Sequence, residues 1–305
     1  WSYLLNPWCM RHPRHILRDN LVGKLKSAAG LIAMAAVASA CGSADRQSSL
    51  PHIYGGSPVP SGQLDGVVAL VHSGGTRPFC SGVLISPTVV LTAGHCLETE
   101  DSAVEAEQPG GSLAVPTNIQ VMLGGDLGAW GDTERHTVKS LAIYPLLRKS
   151  PIGYGDFGLV ELAQPVKGSK SLPLIISLEP QLAALRRAQV MLVGYGRREA
   201  AGPGSKYQVV TKVTEFSGAE AVVGGAGRDS CGGDSGGPTL TDAAAGSSAV
   251  LGVISRGVYA GCGEGSAIGL VSVAACWIST QPMLQHDQNL AKQLATACPG
   301  SDSSL

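Results

Sequence analysis

The segment Arg228-Asp229-Ser230-Cys231-Gly232-Gly233-Asp234-Ser235-Gly236-Gly237-Pro238 decides how the chain is read. By itself it is a turn of small residues, where glycine supplies backbone dihedrals that other residues avoid. It also presents one hydroxyl, Ser235, among glycines. A serine hydroxyl is a poor nucleophile at neutral pH unless a base lies beside it. Two further segments stand out upstream, one with a histidine and one with an acid. Leu91-Thr92-Ala93-Gly94-His95-Cys96 carries the first, and Tyr154-Gly155-Asp156-Phe157-Gly158-Leu159-Val160 the second. Each has an ordinary reading when taken alone: a packed loop histidine, or a turn aspartate ahead of an apolar strand. Asp126 and Asp132 are rival acids, but they sit in a glycine-rich turn region without the apolar strand that follows Asp156.

The surroundings of these segments have the texture of short strands. Apolar, largely β-branched runs recur at Val67–Val71, Val83–Ile85, Val89–Leu91, Ile119–Leu123, Val190–Val193, Gln208–Val213 and Val250–Ile254, broken by glycine and proline. Such spacing predicts an all-β barrel or sandwich. Helical periodicity is confined to the end, where Met283, Leu284, Leu290 and Leu294 predict an amphipathic helix over Ser279–Ala297. The apolar content of 44% excludes a disordered chain. The 41 glycines follow no three-residue period, which excludes collagen. Charged residues make up only 15%, below the roughly one-quarter of a typical domain.

The net charge of −1 averages two unlike parts. Residues 1–40 hold Arg11, Arg14, Arg18, Lys24 and Lys26 against Asp19, leaving 17 basic and 22 acidic residues beyond them. An acidic body carries no electrostatic footprint for nucleic acid. The first 40 residues read as an export leader starting at Met10: a basic stretch, an apolar run from Ala28 to Val37, then small residues. Ala38 and Ala40 fit a signal-peptidase site, while Cys41 after small residues also fits a lipobox, whose cysteine would be lipidated. Either exit places the mature chain outside the cytoplasm, where disulfides persist. Residues 41–52 are a polar linker or pro-segment. The acidic stretch Glu98–Gly111 has no calcium-ligand spacing and reads as a solvated loop. No cluster of cysteine and histidine has metal-ligand spacing, and no cofactor is expected.

Taken in the order His95, Asp156, Ser235, the three motifs resemble those of the chymotrypsin/trypsin family of serine proteases, whose chain order differs from that of subtilisins and α/β-hydrolases. The resemblance runs from about Ile53 to Ile278. It implies two six-stranded antiparallel Greek-key β-barrels with a C-terminal helix, the barrels at about 53–165 and 175–275 within a peptidase domain 53–285, and a tail 286–305. It implies that Ser235 is the nucleophile, His95 the general base, Asp156 the group that orients and stabilises the imidazole, and the backbone N–H groups of Gly233 and Ser235 the oxyanion hole.

The same resemblance assigns the primary substrate pocket. Asp229, six residues before the serine, would lie at its base and pair with a substrate Arg or Lys. Ser230 would add a hydroxyl contact, Ser255 would bind substrate, and Gly257 and Gly269 would line the walls. Arg256 stands where the family usually has an aromatic, which predicts altered backbone contacts or a taste for acidic substrate residues nearby. Cys80–Cys96 and Cys231–Cys262 are implied as disulfides, with Cys276–Cys298 a third. Ile53-Tyr54-Gly55-Gly56 resembles the family's mature N-terminus, whose freed amine pairs with the acid before the serine, here Asp234. The preceding residue is His52, not Arg or Lys, so another protease is expected to cut there. The reading that follows is a monomeric, exported endopeptidase made as a zymogen, with membrane contact only through a lipid on Cys41. A non-catalytic binding homologue and an esterase of other specificity are the alternatives.

Overall fold

The β-branched runs pair into two closed antiparallel rings. The computed structural model describes residues 53–98, 118–127, 133–149, 154–168, 171–177, 183, 185, 189–196, 204–241, 248–259 and 261–298. The leader, Cys41, His52, Asp132 and the acidic stretch beyond Glu98 lie outside them. Among the described residues there are thirteen strands. The first ring is built from β2 (Val67–His72), β3 (Pro78–Leu84), β4 (Val89–Thr92), β5 (Ile119–Leu123), β6 (Glu134–Ile143) and β7 (Gly158–Leu162), and closes in the order β2-β3-β4-β7-β6-β5. The second contains β8 (Gln189–Gly194), β9 (Tyr207–Phe216), β10 (Glu220–Val223), β11 (Pro238–Thr241), β12 (Val250–Gly257) and β13 (Ser266–Leu270), with β8 pairing β9 to close it. The two-residue β1 (Ser57–Pro58) adds to β9. Among the described residues, closure leaves neither ring with a long unpaired strand edge.

Strands β4 and β7 are buried at every position, so neither shows the alternation of a half-exposed strand. Glu161 is the polar exception in β7. Lys139 Nζ at 2.7 Å and Ser140 Oγ at 2.6 Å donate to its carboxylate, which meets the requirement that a buried charge be hydrogen-bonded.

The C-terminal helical region differs from its expected form. Helix α1 (Leu146–Lys149) is a single turn in the first half of the chain. Helix α2 (Val271–Ser279) starts directly after β13, eight residues before the predicted boundary, and buries Val271, Ala274, Ala275 and Ile278. That spacing is one face of a helix, hidden in the sequence by its continuity with the apolar strand before it. Pro282 cannot continue a regular helix. The chain turns through Pro282–Leu284 and restarts as α3 (Gln288–Ala295), whose first turn is capped by the Asp287 carboxylate accepting from Leu290 N. A Cys276–Cys298 disulfide ties the two helices. None of the described helices is long and apolar enough to cross a membrane.

The seam between the barrels is hydrogen-bonded as well as packed. Ser81 N, in β3, donates to the Ser235 carbonyl at 2.7 Å, and Tyr195 Oη, just past β8, donates to the Val67 carbonyl at 3.1 Å. Gly236 sits in this seam at φ +82°, and a Cβ there would fall 2.0 Å from Thr92 Oγ1 and 2.3 Å from the Ser81 carbonyl. Gly236→Ala is expected to destabilise the fold by more than about 2 kcal/mol through backbone strain and clash. A thermal midpoint unchanged from wild type, measured by calorimetry, would contradict this packing.

Candidate active site

The pairing of β4 with β7 places two of the three motif residues side by side. Thr92 lies opposite Gly158, so the turn after one strand meets the residue before the other. His95 occupies a single 3-10 turn, Gly94–Leu97, whose Cys96 is bound to Cys80 of β3. Asp156 Oδ1 accepts from His95 N at 2.9 Å, and Asp156 Oδ2 lies 2.8 Å from His95 Nδ1. An ionised carboxylate only accepts, so this contact puts the ring proton on Nδ1 and leaves Nε2 free to take one.

The second barrel completes the site. Ser255 Oγ, on β12, donates to Asp156 Oδ2 at 2.5 Å, and Ser235 Oγ donates to the Ser255 carbonyl at 3.4 Å. Ser235 Oγ is therefore turned to Ser255 and must rotate toward Nε2 before proton transfer, a tightening common on substrate binding. Asp126, the rival acid, pairs through its backbone with Ser205.

Burial disfavours the charged forms of both His95 and Asp156, yet their mutual hydrogen bond and charge prevail. His95 is raised above the ordinary histidine value, with Glu98 adding to the effect, and Asp156 is held below the ordinary carboxylate value, with Ser255 assisting. The imidazole is 39% exposed on its side chain and the carboxylate 4%, so the base can be reached from solvent while the acid cannot.

The turn that carries Ser235 is organised by Asp234, which is wholly buried. Its Oδ2 accepts from Cys231 N at 2.9 Å and Ile53 N at 3.3 Å, and its Oδ1 from Gly196 N at 2.8 Å. Burial outweighs these neutral donors and pushes its carboxyl up to about 6. Gly233 takes φ +96°, a conformation costly for residues with a Cβ. Its carbonyl accepts from Ser81 Oγ at 3.0 Å, a contact no local motif announces.

Asp229 is 1% exposed, and its main-chain nitrogen donates to the Tyr54 carbonyl at 3.0 Å. Adjacent residues, Ile53 and Tyr54, thus touch both the serine turn and the Asp229 segment. Burial raises the Asp229 carboxyl despite donation from Ser266, Gly265, Ser230 and Gly263. The Cys231–Cys262 disulfide links the Asp229 segment to the strand pair β12–β13, where Gly257 faces Ser266. Gly269 backs onto Phe157, whose ring carbon would lie 2.8 Å from an added Cβ. Ser266, four residues after Cys262, is the residue that reaches Asp229.

Arg256 is also not free to recruit an acid. Its guanidinium donates from both terminal nitrogens, at 2.8 Å each, to the two carboxylate oxygens of Glu220 on β10. The cluster Cys80, His95 and Cys96 brings its ligand atoms within 4.8 Å, but both sulfurs are in a disulfide and offer no thiolate.

A family model described as Trypsin matches residues 53–278. The chain is similar to mannan-binding lectin serine protease 1 of Mus musculus, 28% identical over 253 residues, covering 74% of this chain and 34% of that protein. It spans about a third of the length of these first relatives. It is also similar to glucanase inhibitor protein 2 of Phytophthora sojae, 28% identical over 88% of this chain and 90% of that protein. A trypsin of Phaedon cochleariae is 29% identical over 59% of this chain and 69% of its own length.

The His95–Asp156 contact gives a direct test. Asp156→Asn removes the negative charge and leaves burial to act on the imidazole, so the His95 titration followed by NMR should move to lower pH than in the wild type. A His95 titration unmoved by this substitution would show that Asp156 does not set its charge state.

Proposed function

We propose, given that the chain belongs to the trypsin family, that it is a serine endopeptidase hydrolysing peptide bonds on the carboxyl side of Arg or Lys. The observation that supports this reading is that Ser255 accepts from Ser235 Oγ at its carbonyl and donates from its own hydroxyl to Asp156, which holds His95. His95 Nε2 takes the hydroxyl proton as Ser235 Oγ bonds to the scissile carbonyl carbon. The backbone N–H groups of Gly233 and Ser235 hold the oxyanion that forms. The C–N bond then breaks, the proton passes from His95 to the leaving amine, and an acyl-enzyme remains. Water, losing a proton to His95, hydrolyses the ester and restores Ser235. Because the base must be neutral, activity falls as pH drops through the raised His95 value. Asp229 supplies the negative charge at the pocket base, with Ser230, Ser255 and Gly257 placed along it.

The zymogen part of the reading rests on Ile53. In the uncut chain its nitrogen belongs to the His52–Ile53 peptide and gives Asp234 a neutral donor. Ile53 is fully buried at φ +37°, a region that a β-branched residue enters only under strain, at about 1–3 kcal/mol. A cut between His52 and Ile53 abolishes that dihedral constraint and turns the donor into an ammonium, which pairs the buried charge of Asp234. The cutting enzyme is a separate protease, since His52 is not basic in the required way. Three disulfides fit an oxidising, extracytoplasmic location, reached through the leader with or without a lipid on Cys41, and the enzyme acts as a monomer on protein substrates.

The likeness to a glucanase inhibitor protein over most of the chain favours a second reading, a protease-like fold used for binding alone. Chromogenic peptides separate the two. Ser235→Ala is expected to lower kcat by about six orders of magnitude, and equal rates for the two proteins would remove the endopeptidase reading in favour of the binding one. N-terminal sequencing of active protein should read Ile-Tyr-Gly-Gly, and full activity with residues 47–52 still attached would overturn the activation step.

A further inference from the structure

We infer that Ser266 makes the primary pocket select lysine over arginine. The inference rests on the reading of Asp229 as the base of that pocket and goes further, by asking which of its lone pairs a substrate can use. Ser266 Oγ donates to Asp229 Oδ1 at 2.5 Å, and Ser230 N donates to the same oxygen at 2.7 Å. Gly265 N donates to Oδ2 at 2.7 Å, and Gly263 N also donates to this carboxylate. Ser266 and Asp229 are each 1% exposed. The Ser230 and Ser266 hydroxyl oxygens lie 2.5 Å apart.

A carboxylate oxygen accepts about two donors, so Oδ1 is already filled. An arginine reads a carboxylate through a planar fork that needs both oxygens in parallel. That fork can close on Asp229 only by displacing Ser266. The Cβ and Oγ of Ser266 also occupy depth where a glycine would leave space, and the guanidinium nitrogens reach one atom farther than the lysine nitrogen. An ammonium makes different demands. It is a compact point charge with three donors and no fixed plane. The Ser230 and Ser266 hydroxyls retain lone pairs to accept from it, and Oδ2 and the carboxylate charge lie just behind. The hydroxyl pair therefore converts a fork-reading floor into one that solvates a single cationic nitrogen.

The test uses the activated protein and three peptides that differ only in a terminal Lys, Arg or Ala. The wild type should favour Lys over Arg in kcat/KM by about tenfold or more, a difference of ~1.4 kcal/mol. Ser266→Gly should move the Lys-to-Arg ratio toward Arg by a similar factor. Calorimetric binding of n-butylamine and benzamidine reads the same preference without catalysis, with the alkylamine less disadvantaged in the wild type than in Ser266→Gly. Arg equal to or better than Lys in the wild type, or an unchanged ratio in the variant, overturns the role of Ser266 and leaves the basic specificity intact. Preference for Ala over both, or no binding of either cation, overturns instead the reading of Asp229 as a pocket base.

Discussion

A carboxylate taken out of water has to find donors in the protein, and three such groups, Asp156, Asp229 and Asp234, lie within the region joining the two barrels. Each draws on different elements. Asp156 joins the 3-10 turn after β4 to β12, Asp229 joins its own segment to β13 and the turn before it, and Asp234 joins the serine turn to Ile53 and Gly196. The donors are mostly main-chain N–H groups, and these approach closely only where side chains are missing. Gly194 and Gly196 illustrate this: a Cβ on either would fall within 2.7 Å of an Asp234 oxygen. Part of the high glycine content is thus a consequence of burying negative charge.

The three acids divide by the charge of their partners. Asp156 faces an imidazole that can become a cation, and its carboxyl is held low. Asp234 has only peptide donors in the uncut chain, and its carboxyl is pushed up to about 6. Asp229 is raised too, surrounded by hydroxyls and amides. A buried acid without a cation is an incomplete ion pair, and the missing half has to come from elsewhere. In the proposed function that half is the Ile53 amine released by cutting for Asp234, and the substrate for Asp229. Because Ile53 and Tyr54 are consecutive and touch the two acidic segments in turn, ordering one segment orders the other.

Much of this was legible in the sequence because it is local. The strand runs were visible as β-branched clusters, and the turns around His95, Asp156 and Ser235 each carry their chemistry within a few residues. What was not legible depends on pairing across the sheet. Ser266 reaches Asp229 across 37 residues of sequence, a contact that counting from Cys262 does not reveal. Glu220 and Arg256 lie 36 residues apart and meet only because β10 and β12 both flank β13. Helix α2 was hidden by its continuity with β13, since an apolar run beginning Val-Ser-Val reads as strand until its buried positions are counted at helical spacing.

The Arg256–Glu220 pair shows how such a long-range contact reverses an expectation drawn from residue type. A lone arginine beside a substrate cleft attracts acids. Here the carboxylate of Glu220 is 8% exposed and the guanidinium 37%. A substrate acid could engage Arg256 fully only by drawing the fork away from Glu220, leaving a buried carboxylate without its cation. An exposed ion pair with the substrate returns at most about 1 kcal/mol. The balance keeps Arg256 on Glu220 as a fixed polar plane. Its further nitrogen contact, 3.4 Å from Ser255 Oγ, then ties that plane to the residue that donates to Asp156. The departure from an aromatic at this position thus reinforces the Asp156 network from the second barrel, with its charge already answered from within the sheet.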